Sequence, residues 1–146
     1  GSAATSSHLC CDLGKGTSVE GKRRLKIISL TDNLALISAW SNDTDYTKCF
    51  QEQLVNLLEK GDVVIGISAS GNSENVIKAV EYARLKGAAT IGILGFDGGK
   101  LLKIVDAAVL VHSNEYEISE DIHLCLGHII KKALSGLIAD DGKALS

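Results

Sequence analysis

Four short apolar runs, separated by segments with helical spacing, constrain the fold of this chain more than any other feature. They span residues 25–30, 63–68, 90–96 and 107–113. The runs are continuous rather than alternating, which is typical of strands buried on both faces of a sheet. Strands that alternate with helices of this length form βαβ units and give a mostly parallel sheet. The sequence therefore predicts an α/β fold with helices on both faces of the sheet.

The segments between these runs predict helices. Residues 46–61 and 73–87 each place apolar side chains at helical intervals and end on a glycine, a residue that commonly terminates helices. Residues 118–142 form a longer predicted helix that is apolar over more than half of its circumference. So much apolar surface suggests a partner subunit or a further helix beside it.

A shorter helix is predicted from Leu34, with Thr31 or Asp32 as its N-cap. Residues 42–45 form a polar turn and a cap for the next helix, and such a turn could also hydrogen-bond the hydroxyls of a sugar.

The beginning of the chain predicts sequence upstream of it. Residues 3–13 have a helical pattern, but no strand precedes them. A parallel-sheet domain normally begins with a strand, and this chain opens on Gly1 and contains no methionine. We therefore expect further residues before Gly1 in the native protein.

Charge and hydropathy argue against two classes of partner. The 146 residues carry a formal net charge of −3 and lack the basic stripe that nucleic acids or acidic membranes require. No uninterrupted apolar run approaches the roughly 18 to 20 residues of a membrane span, and no signal peptide is evident. The sequence predicts one soluble cytoplasmic domain.

The loop after the second apolar run, 66-GISASGNSENV-76, is rich in small and hydroxyl-bearing residues. Ser68, Ser70 and Ser73 follow a predicted strand and precede a predicted helix, at the edge where open α/β sheets bind ligands. The helix directs its free N–H groups and the positive end of its dipole toward this loop. These donors predict an anion site that suits a phosphate monoester.

Other interpretations of the loop fit less well. A nucleotide P-loop requires a lysine after its glycines, and a dinucleotide fingerprint requires GxGxxG; this loop has neither. Ser73 or Asn72 could simply cap the helix, but a cap does not account for Ser68 and Ser70. The missing lysine favours a small phosphorylated metabolite over a triphosphate that needs magnesium.

Two predicted helices carry acidic and imidazole side chains at helical spacing. His8 and Asp12 lie four residues apart, so they could chelate one metal ion or relay a proton. Near the other end of the chain, Glu117, Asp121 and His128 fall close to one stripe. A single His–acid pair is more often a solvated surface pair, and it supplies only two of the three or four ligands of a zinc site. A metal site therefore requires the two helices to converge.

Five segments together resemble the SIS (sugar isomerase) domain of phosphoheptose isomerases. They are 1-GSAATSSHLCCDLGKG-16, 41-SNDTDY-46, 61-GDVVIGISASGNSENVIKAVEYARLKG-87, 95-GFDGGKL-101 and 120-EDIHLCLGHII-130. The serine motif is shared by SIS domains in general, whereas the GSxxxxxH opening and the LxxGH ending are more specific to this branch. The resemblance implies a three-layer α-β-α sandwich of flavodoxin- or Rossmann-like topology, here without its N-terminal helices and first strand.

The resemblance also implies an activity. Phosphoheptose isomerases interconvert sedoheptulose 7-phosphate and D-glycero-D-manno-heptose 7-phosphate through an enediol, which serves lipopolysaccharide or capsule heptose biosynthesis. It implies a homotetramer with active sites at subunit interfaces and one zinc ion in each. The alternatives are an isomerase of another sugar phosphate and a non-catalytic, regulatory SIS module that senses a phosphosugar or acts through protein contacts.

Carried over by position, the resemblance assigns residues to two roles. The phosphate and substrate contacts would be Gly1, Ser2, Asn42, Asp43, Ser68, Ala69, Ser70, Ser73 and Glu120. The zinc ligands would be His8, Asp12, Glu120 and His128, with Asp12 and His128 as the acid–base pair.

Two of these positions depart from the pattern of the family. The family has glutamate where Asp12 stands, so this ligand is one methylene shorter. It has glutamine where Glu120 stands, so this site carries an additional negative charge. Helix spacing alone favours Asp121 over Glu120 as the neighbour of His128, whereas the resemblance favours Glu120.

Overall fold

The structure, a computed structural model, describes residues 1–140 of the chain. In chain order these residues form helix α1 (Ser2–Gly16), α2 (Leu34–Asp43), α3 (Cys49–Leu57), strand β1 (Val63–Ser68), α4 (Glu74–Leu85), β2 (Ala89–Leu94), β3 (Ala107–Leu110) and α5 (Tyr116–Ala139). Short 3₁₀ turns at Tyr46–Lys48 and Leu101–Lys103 precede α3 and β3.

The three strands form a parallel sheet in the order β1-β2-β3. Ile65 of β1 pairs with Ile91 of β2, and Ile93 of β2 pairs with Val109 of β3. Helix α4 lies between β1 and β2 along the chain and supplies the crossover that parallel pairing requires. The predicted α/β fold with a parallel sheet is therefore confirmed.

Two apolar clusters cover the two faces of the sheet. Neighbouring residues of a strand point to opposite faces, and Ile93 and Leu94 belong to different clusters. On one face Ile93 packs with Leu9 of α1 and with apolar side chains of α5. On the other face Leu94 packs with Val80 of α4 and with Leu101. The result is the predicted three-layer arrangement of helix, sheet and helix.

The first apolar run, residues 25–30, does not form a strand, so this prediction was wrong. The segment has no ladder partner in the described part of the chain, and β1 is the edge strand of the sheet. A cavity of about 810 Å³ is lined by residues of this run and of β1. Ile28 and Val63, one on each segment, are 52% and 55% exposed. An apolar extended segment becomes a strand only when a neighbouring edge pairs with it.

We propose that the part of this cavity between residues 25–30 and β1 accepts a further parallel strand, which leaves the part lined by residues 68–73 open. The free edge of β1 presents unpaired N–H and C=O groups, and a strand beside it would satisfy them and could also pair with residues 25–30. The cavity is lined by apolar side chains that such a strand would cover, among them Leu9, Phe50 and Leu54. Ser2 also lines it, so residues directly upstream of Gly1 could enter it without a long connection.

Amide hydrogen exchange tests this proposal. The chain would be expressed with and without whatever sequence precedes Gly1 in its gene. We expect the amides of residues 25–30 to be protected from exchange only in the longer protein, because only there would they join a ladder. The amides of β2, which are paired in both forms, provide the control. Equal exchange of residues 25–30 in both proteins would contradict the proposal.

The ends of several helices differ from their prediction because of local capping. The predicted helix 46–61 begins as a 3₁₀ turn in which Asp45 Oδ1 accepts a hydrogen bond from Thr47 N at 2.7 Å, and its α-helical part ends at Leu57. The hydrogen bonds from Thr47 hold the pKa of Asp45 below its usual value. The N-cap of α2 is Asn33, whose Oδ1 accepts from Leu36 N, rather than Thr31 or Asp32.

The predicted helix 118–142 corresponds to α5, which begins two residues earlier, at Tyr116. Residues 141–142 of the prediction lie outside the described residues. By length and hydropathy α5 could cross a membrane, with 11% of its most apolar window buried, although one such helix is weak evidence for a membrane protein. The sequence estimate missed this because it sought an uninterrupted apolar run, whereas an averaged hydropathy tolerates a few charges.

The core on the α4 side of the sheet predicts a clear contrast between two leucines. Leu94 is fully buried, whereas Leu85 at the end of α4 is 81% exposed. We expect Leu94→Ala to lower the free energy of unfolding by about 2–5 kcal/mol, because it removes packed methyl groups and leaves a cavity. Leu85→Ala should change it by less than about 0.5 kcal/mol. Urea unfolding measures both; similar losses would contradict this placement of the core.

Candidate functional site

The serine loop, residues 68–73, connects the carboxyl end of β1 to the start of α4. Ser73 occupies the N-cap position of α4, but its side chain makes no capping hydrogen bond. Its Oγ lies 3.1 Å from the Oγ of Ser68, across the loop. The side chain of Asn72 does not cap the helix either, since it bonds to Ser70 O and to Lys100 N. Helix capping therefore does not account for the hydroxyls of this loop.

The start of α4 leaves backbone donors beside these hydroxyls. Within residues 1–140, the N–H groups of Glu74 and Asn75 have no acceptor, whereas the next two N–H groups of the helix donate to Ser73 O. The unpaired donors and the positive end of the helix dipole favour an anion at this point. The loop thus places the hydroxyls of Ser68 and Ser73, which bond to each other, beside two free N–H groups, the kinds of donor that a phosphate site uses.

An acidic side chain stands at the same helix end, and it is paired. Glu74 Oε1 accepts from Lys100 Nζ at 2.7 Å. The hydrogen bond and the charge of Lys100 lower the pKa of Glu74, and the same contact raises the pKa of Lys100. The lysine thus offsets a carboxylate that would otherwise repel an anion. A basic side chain does stand beside the loop, and it comes from a segment that follows β2.

The cavity beside β1 brings together most of the predicted substrate residues. Those that line it are Ser2, Ser68, Ala69, Ser70, Ser73 and Glu120. Gly1 lies at its margin, with its nitrogen 3.6 Å from Glu120 Oε1. A Cβ added at Gly1 would stand 1.8 Å from the Glu120 carboxyl carbon, so a larger residue would displace that side chain.

Two predicted substrate residues lie elsewhere. Asn42 and Asp43 end helix α2, are exposed, and do not line the cavity. Asn42 Nδ2 donates to Asp43 Oδ1 at 3.1 Å. Within the described chain these two side chains therefore contact each other rather than the serine loop.

Sequence reasoning assigned no site role to four further polar residues. Thr31 and Ser6 line the cavity and are linked through Ser29, whose Oγ lies 2.8 Å from Thr31 Oγ1 and 3.1 Å from Ser6 Oγ. The position of Ser6, four residues after Ser2 on α1, was a signal that could have found it. His123 on α5 is fully buried, and neither ring nitrogen has a hydrogen-bond partner among residues 1–140.

Helices α1 and α5 pack side by side and bring the predicted acidic and imidazole residues together. Gly127 of α5 faces Leu9 of α1, and a Cβ added at Gly127 would lie at an ordinary contact distance of 3.4 Å from Leu9 Cδ1. His8 Nε2 lies 3.1 Å from His128 Nε2. Each of these nitrogens is 3.5 Å from Asp12 Oδ2. The convergence that a metal site requires is present in the structure.

This His8–Asp12–His128 cluster fits a metal ion. One ligand atom from each of the three residues lies within 4.8 Å of the others. Asp12 Oδ2 is buried and has no hydrogen-bond partner within the described residues. A buried carboxylate oxygen without a partner is costly, and a cation would satisfy it. Two imidazole nitrogens and one carboxylate oxygen match the ligand set of catalytic zinc sites, which keep a position open.

Glu120 is not part of this cluster within one chain. It precedes His128 by eight residues on α5, which at about 1.5 Å per residue is a rise of about 12 Å. Its carboxylate lines the cavity beside Gly1 instead. Asp121, the alternative that helix spacing favoured, is exposed and also lies outside the cluster.

Comparison with known proteins agrees with the fold. The family model described as an SIS domain matches residues 1–95. The phosphoheptose isomerase of Nitratiruptor sp. is 40% identical over 130 residues, which cover 89% of this chain and 69% of that protein. The phosphoheptose isomerase of Trichlorobacter lovleyi is 37% identical over an alignment 147 residues long, gaps included, which covers 98% of this chain and 74% of that protein. The chain belongs to the phosphoheptose isomerase family of SIS domain proteins.

Solved structures show the same relationship. The phosphoheptose isomerase of Neisseria gonorrhoeae superimposes with a TM-score of 0.84 at 28% sequence identity, over 92% of this chain and 71% of that chain. That of Francisella tularensis gives a TM-score of 0.86 at 26% identity, over 92% and 72%. These scores agree with the SIS-type architecture that the sequence resemblance implied.

The cluster predicts binding of a divalent cation that depends on all three side chains. With Zn²⁺ as the probe, we expect His8→Ala, Asp12→Asn and His128→Ala each to raise the dissociation constant by more than about 100-fold. Substituting residues that only support metal ligands typically costs about 10- to 100-fold, and these three residues would bind the ion directly. Asp121→Asn and His112→Ala, at exposed positions outside the cluster, are matched controls and should bind as the unmodified protein does. Isothermal titration measures the affinities. Unchanged affinity in all three cluster variants would show that the cation binds elsewhere.

Proposed function

We propose that this protein is a zinc-dependent isomerase that interconverts sedoheptulose 7-phosphate and D-glycero-D-manno-heptose 7-phosphate. The observation that carries the proposal is the buried, unpartnered Asp12 Oδ2 between the His8 and His128 imidazoles. A module that only senses a phosphosugar has no need for such a cluster. The activity that names the relatives supports the same choice.

The serine loop would anchor the substrate through its phosphate. The hydroxyls of Ser68, Ser70 and Ser73 and the free N–H groups at the start of α4 are neutral donors, which suit a phosphate monoester. In a heptose 7-phosphate the phosphate stands at the opposite end of the molecule from the two carbons that exchange a proton. The proton-transfer groups must therefore lie away from the serine loop. Binding of the phosphate in that loop then determines which carbons of the substrate lie beside these groups.

Asp12 and His128 would carry the proton transfers. The base removes a proton from the carbon beside the carbonyl, and a proton is delivered to the carbonyl oxygen to give the enediol. The other enediol oxygen then loses its proton, and the base, which can exchange its proton with solvent, protonates the neighbouring carbon. Asp12 Oδ2 faces the two imidazoles, which leaves Oδ1 to take the carbon-bound proton. His128 would hold the proton that moves between the two oxygens on Nδ1, the ring nitrogen that does not face the cluster. Each such group typically contributes about 10²- to 10⁴-fold to the rate.

His8, Asp12 and His128 would hold the zinc ion, which as a Lewis acid stabilises negative charge that develops on the substrate oxygens. Asp12 is one methylene shorter than the glutamate of the family pattern, yet its Oδ2 stands within 3.5 Å of both imidazole nitrogens. The shorter side chain therefore still reaches the cluster.

We also propose a cytoplasmic homotetramer with active sites at subunit interfaces, acting in heptose biosynthesis. Within one chain the His8–Asp12–His128 cluster does not line the cavity that the serine loop lines. Glu120 stands about two helical turns from His128, so it could join a cluster only on a neighbouring subunit. Ile118, Ile122 and Ile129 of α5 are 43%, 39% and 63% exposed, and such apolar surface is typical of an interface.

Isomerisation in heavy water tests the proposed activity. With sedoheptulose 7-phosphate and Zn²⁺, we expect deuterium at the exchangeable carbon of the product, measured by NMR. Asp12→Asn and His128→Ala should lower kcat by about 10²- to 10⁴-fold, because each removes one proton-transfer group. Asp121→Asn is the control for the loss of a carboxylate on the same surface.

Two outcomes would contradict the proposal in different ways. Clear binding of the phosphosugar without deuterium incorporation would identify a sensor rather than an isomerase. Incorporation that survives in both variants would show that other residues form the acid–base pair.

A further inference from the structure

The serine loop is held by a second loop, residues 95–101, which we name the glycine loop. It follows β2 and contains Gly95, Gly98 and Gly99. Two backbone hydrogen bonds join the loops: Gly95 N donates to Ala69 O at 2.9 Å, and Leu101 N donates to Gly71 O at 3.0 Å. The shape of the serine loop therefore depends on a segment some 25 residues away in sequence.

The two loops approach too closely for larger residues. A Cβ added at Gly71, where φ is +64°, would lie 2.0 Å from Gly98 O. A Cβ added at Gly99, where φ is +52°, would lie 2.6 Å from both Asn72 Nδ2 and Ser70 O. At both positions the contact is with backbone or with a short amide, which cannot move aside easily. The backbones are in direct contact, and the Asn72 amide lies against Gly99.

Asn72 uses both ends of its amide at this contact. Nδ2 donates to Ser70 O at 3.1 Å, within the serine loop. Oδ1 accepts from Lys100 N at 3.1 Å, in the glycine loop. The backbone N of Asn72 also donates to Ser70 Oγ at 3.2 Å. One side chain thus fixes the carbonyl of Ser70 and ties it to the opposite loop.

We propose that Asn72 is a positioning residue that preorganises the phosphate donors of the serine loop. The inference rests on the proposed function, because it takes the serine loop to bind the substrate phosphate. A carbonyl oxygen that turns toward a phosphate repels it, and Asn72 Nδ2 engages the carbonyl of Ser70. Without that amide the serine loop would be less ordered before the anion binds. Binding would then have to order the loop, and the free energy that this costs reduces the affinity.

The effect should appear in binding rather than in chemistry. Asn72 contacts the part of the site that holds the phosphate, far along the substrate from the carbons that exchange a proton. Loss of an interaction made equally in the ground and transition states raises KM and leaves kcat unchanged. Two hydrogen bonds of ordinary strength correspond to a change of about 10-fold.

The experiment compares Asn72→Ala with Asn56→Ala in the zinc-loaded, full-length protein. Asn56 is an exposed residue of α3 outside the site, so it controls for the substitution itself. For Asn72→Ala we expect KM for sedoheptulose 7-phosphate and the dissociation constant of inorganic phosphate both to rise about 10-fold, with kcat within about twofold. Asn56→Ala should change none of the three.

A second variant alters the same contact by a substitution in the glycine loop. Gly99→Ala places a methyl group against the Asn72 amide and leaves Asn72 itself intact. We expect the same rise in KM and in the dissociation constant of phosphate. Gly21→Ala is the matched control, because Gly21 has a similar positive φ of +75° but nothing within 4 Å of an added Cβ.

The outcomes separate this inference from the proposed function. An unmodified protein that binds neither the phosphosugar nor phosphate would overturn both. An active unmodified protein whose Asn72→Ala and Gly99→Ala variants keep their KM would overturn the role of Asn72 alone. A fall in kcat without a change in KM would place Asn72 in the chemistry and also overturn the role. Should Asn72→Ala fail to fold, the KM of Gly99→Ala decides.

Discussion

The packing of α1 against α5 is the contact on which the proposed chemistry of this protein depends. Leu9 of α1 faces Gly127 of α5, and apolar side chains of α5 pack against the same cluster as Leu9. At this spacing the imidazoles of His8 and His128 meet, with Asp12 Oδ2 between them. Neither helix alone supplies three ligand atoms, so the cluster exists only because the two helices lie side by side. A buried carboxylate oxygen without a partner is the energetic cost of that arrangement, and a cation would offset it.

The proposed phosphate site depends on a different contact, between two loops at the carboxyl edge of the sheet. The serine loop presents hydroxyls and free N–H groups, and the glycine loop fixes its shape through backbone hydrogen bonds and the Asn72 amide. Lys100 of the glycine loop also pairs with Glu74, the one acidic side chain in the first turn of α4. The proposed anion site is therefore formed by three parts together: the serine loop, the glycine loop and the N-terminal end of α4.

Several elements could be predicted because their cause is local. The strand 63–68 and the helix after it follow from a continuous apolar run, a hydroxyl-rich loop and a helical apolar spacing, all within 25 residues. The segment 25–30 carries an equally strong apolar pattern, yet it remains extended without a ladder. Whether this segment becomes a strand depends on whether a neighbouring strand pairs with it, and the sequence of the segment does not specify that. The N-cap of α2 was misplaced by one or two positions because Thr31, Asp32 and Asn33 are all good capping residues.

The sequence by itself determined the parallel α/β fold, the position of the serine loop at the end of β1 and the shared face of His8 and Asp12. These follow from the periods of helix and strand, which act over a few residues. Only the tertiary structure showed that His8 and His128, 120 residues apart, meet beside Asp12, while Glu120 and Asp121 of the same chain lie outside this cluster. Only the tertiary structure showed that Asn72 ties two loops together rather than capping a helix. The physical reason is the same in each case: contacts between distant segments depend on how elements pack, and packing is not encoded in the spacing of any one segment.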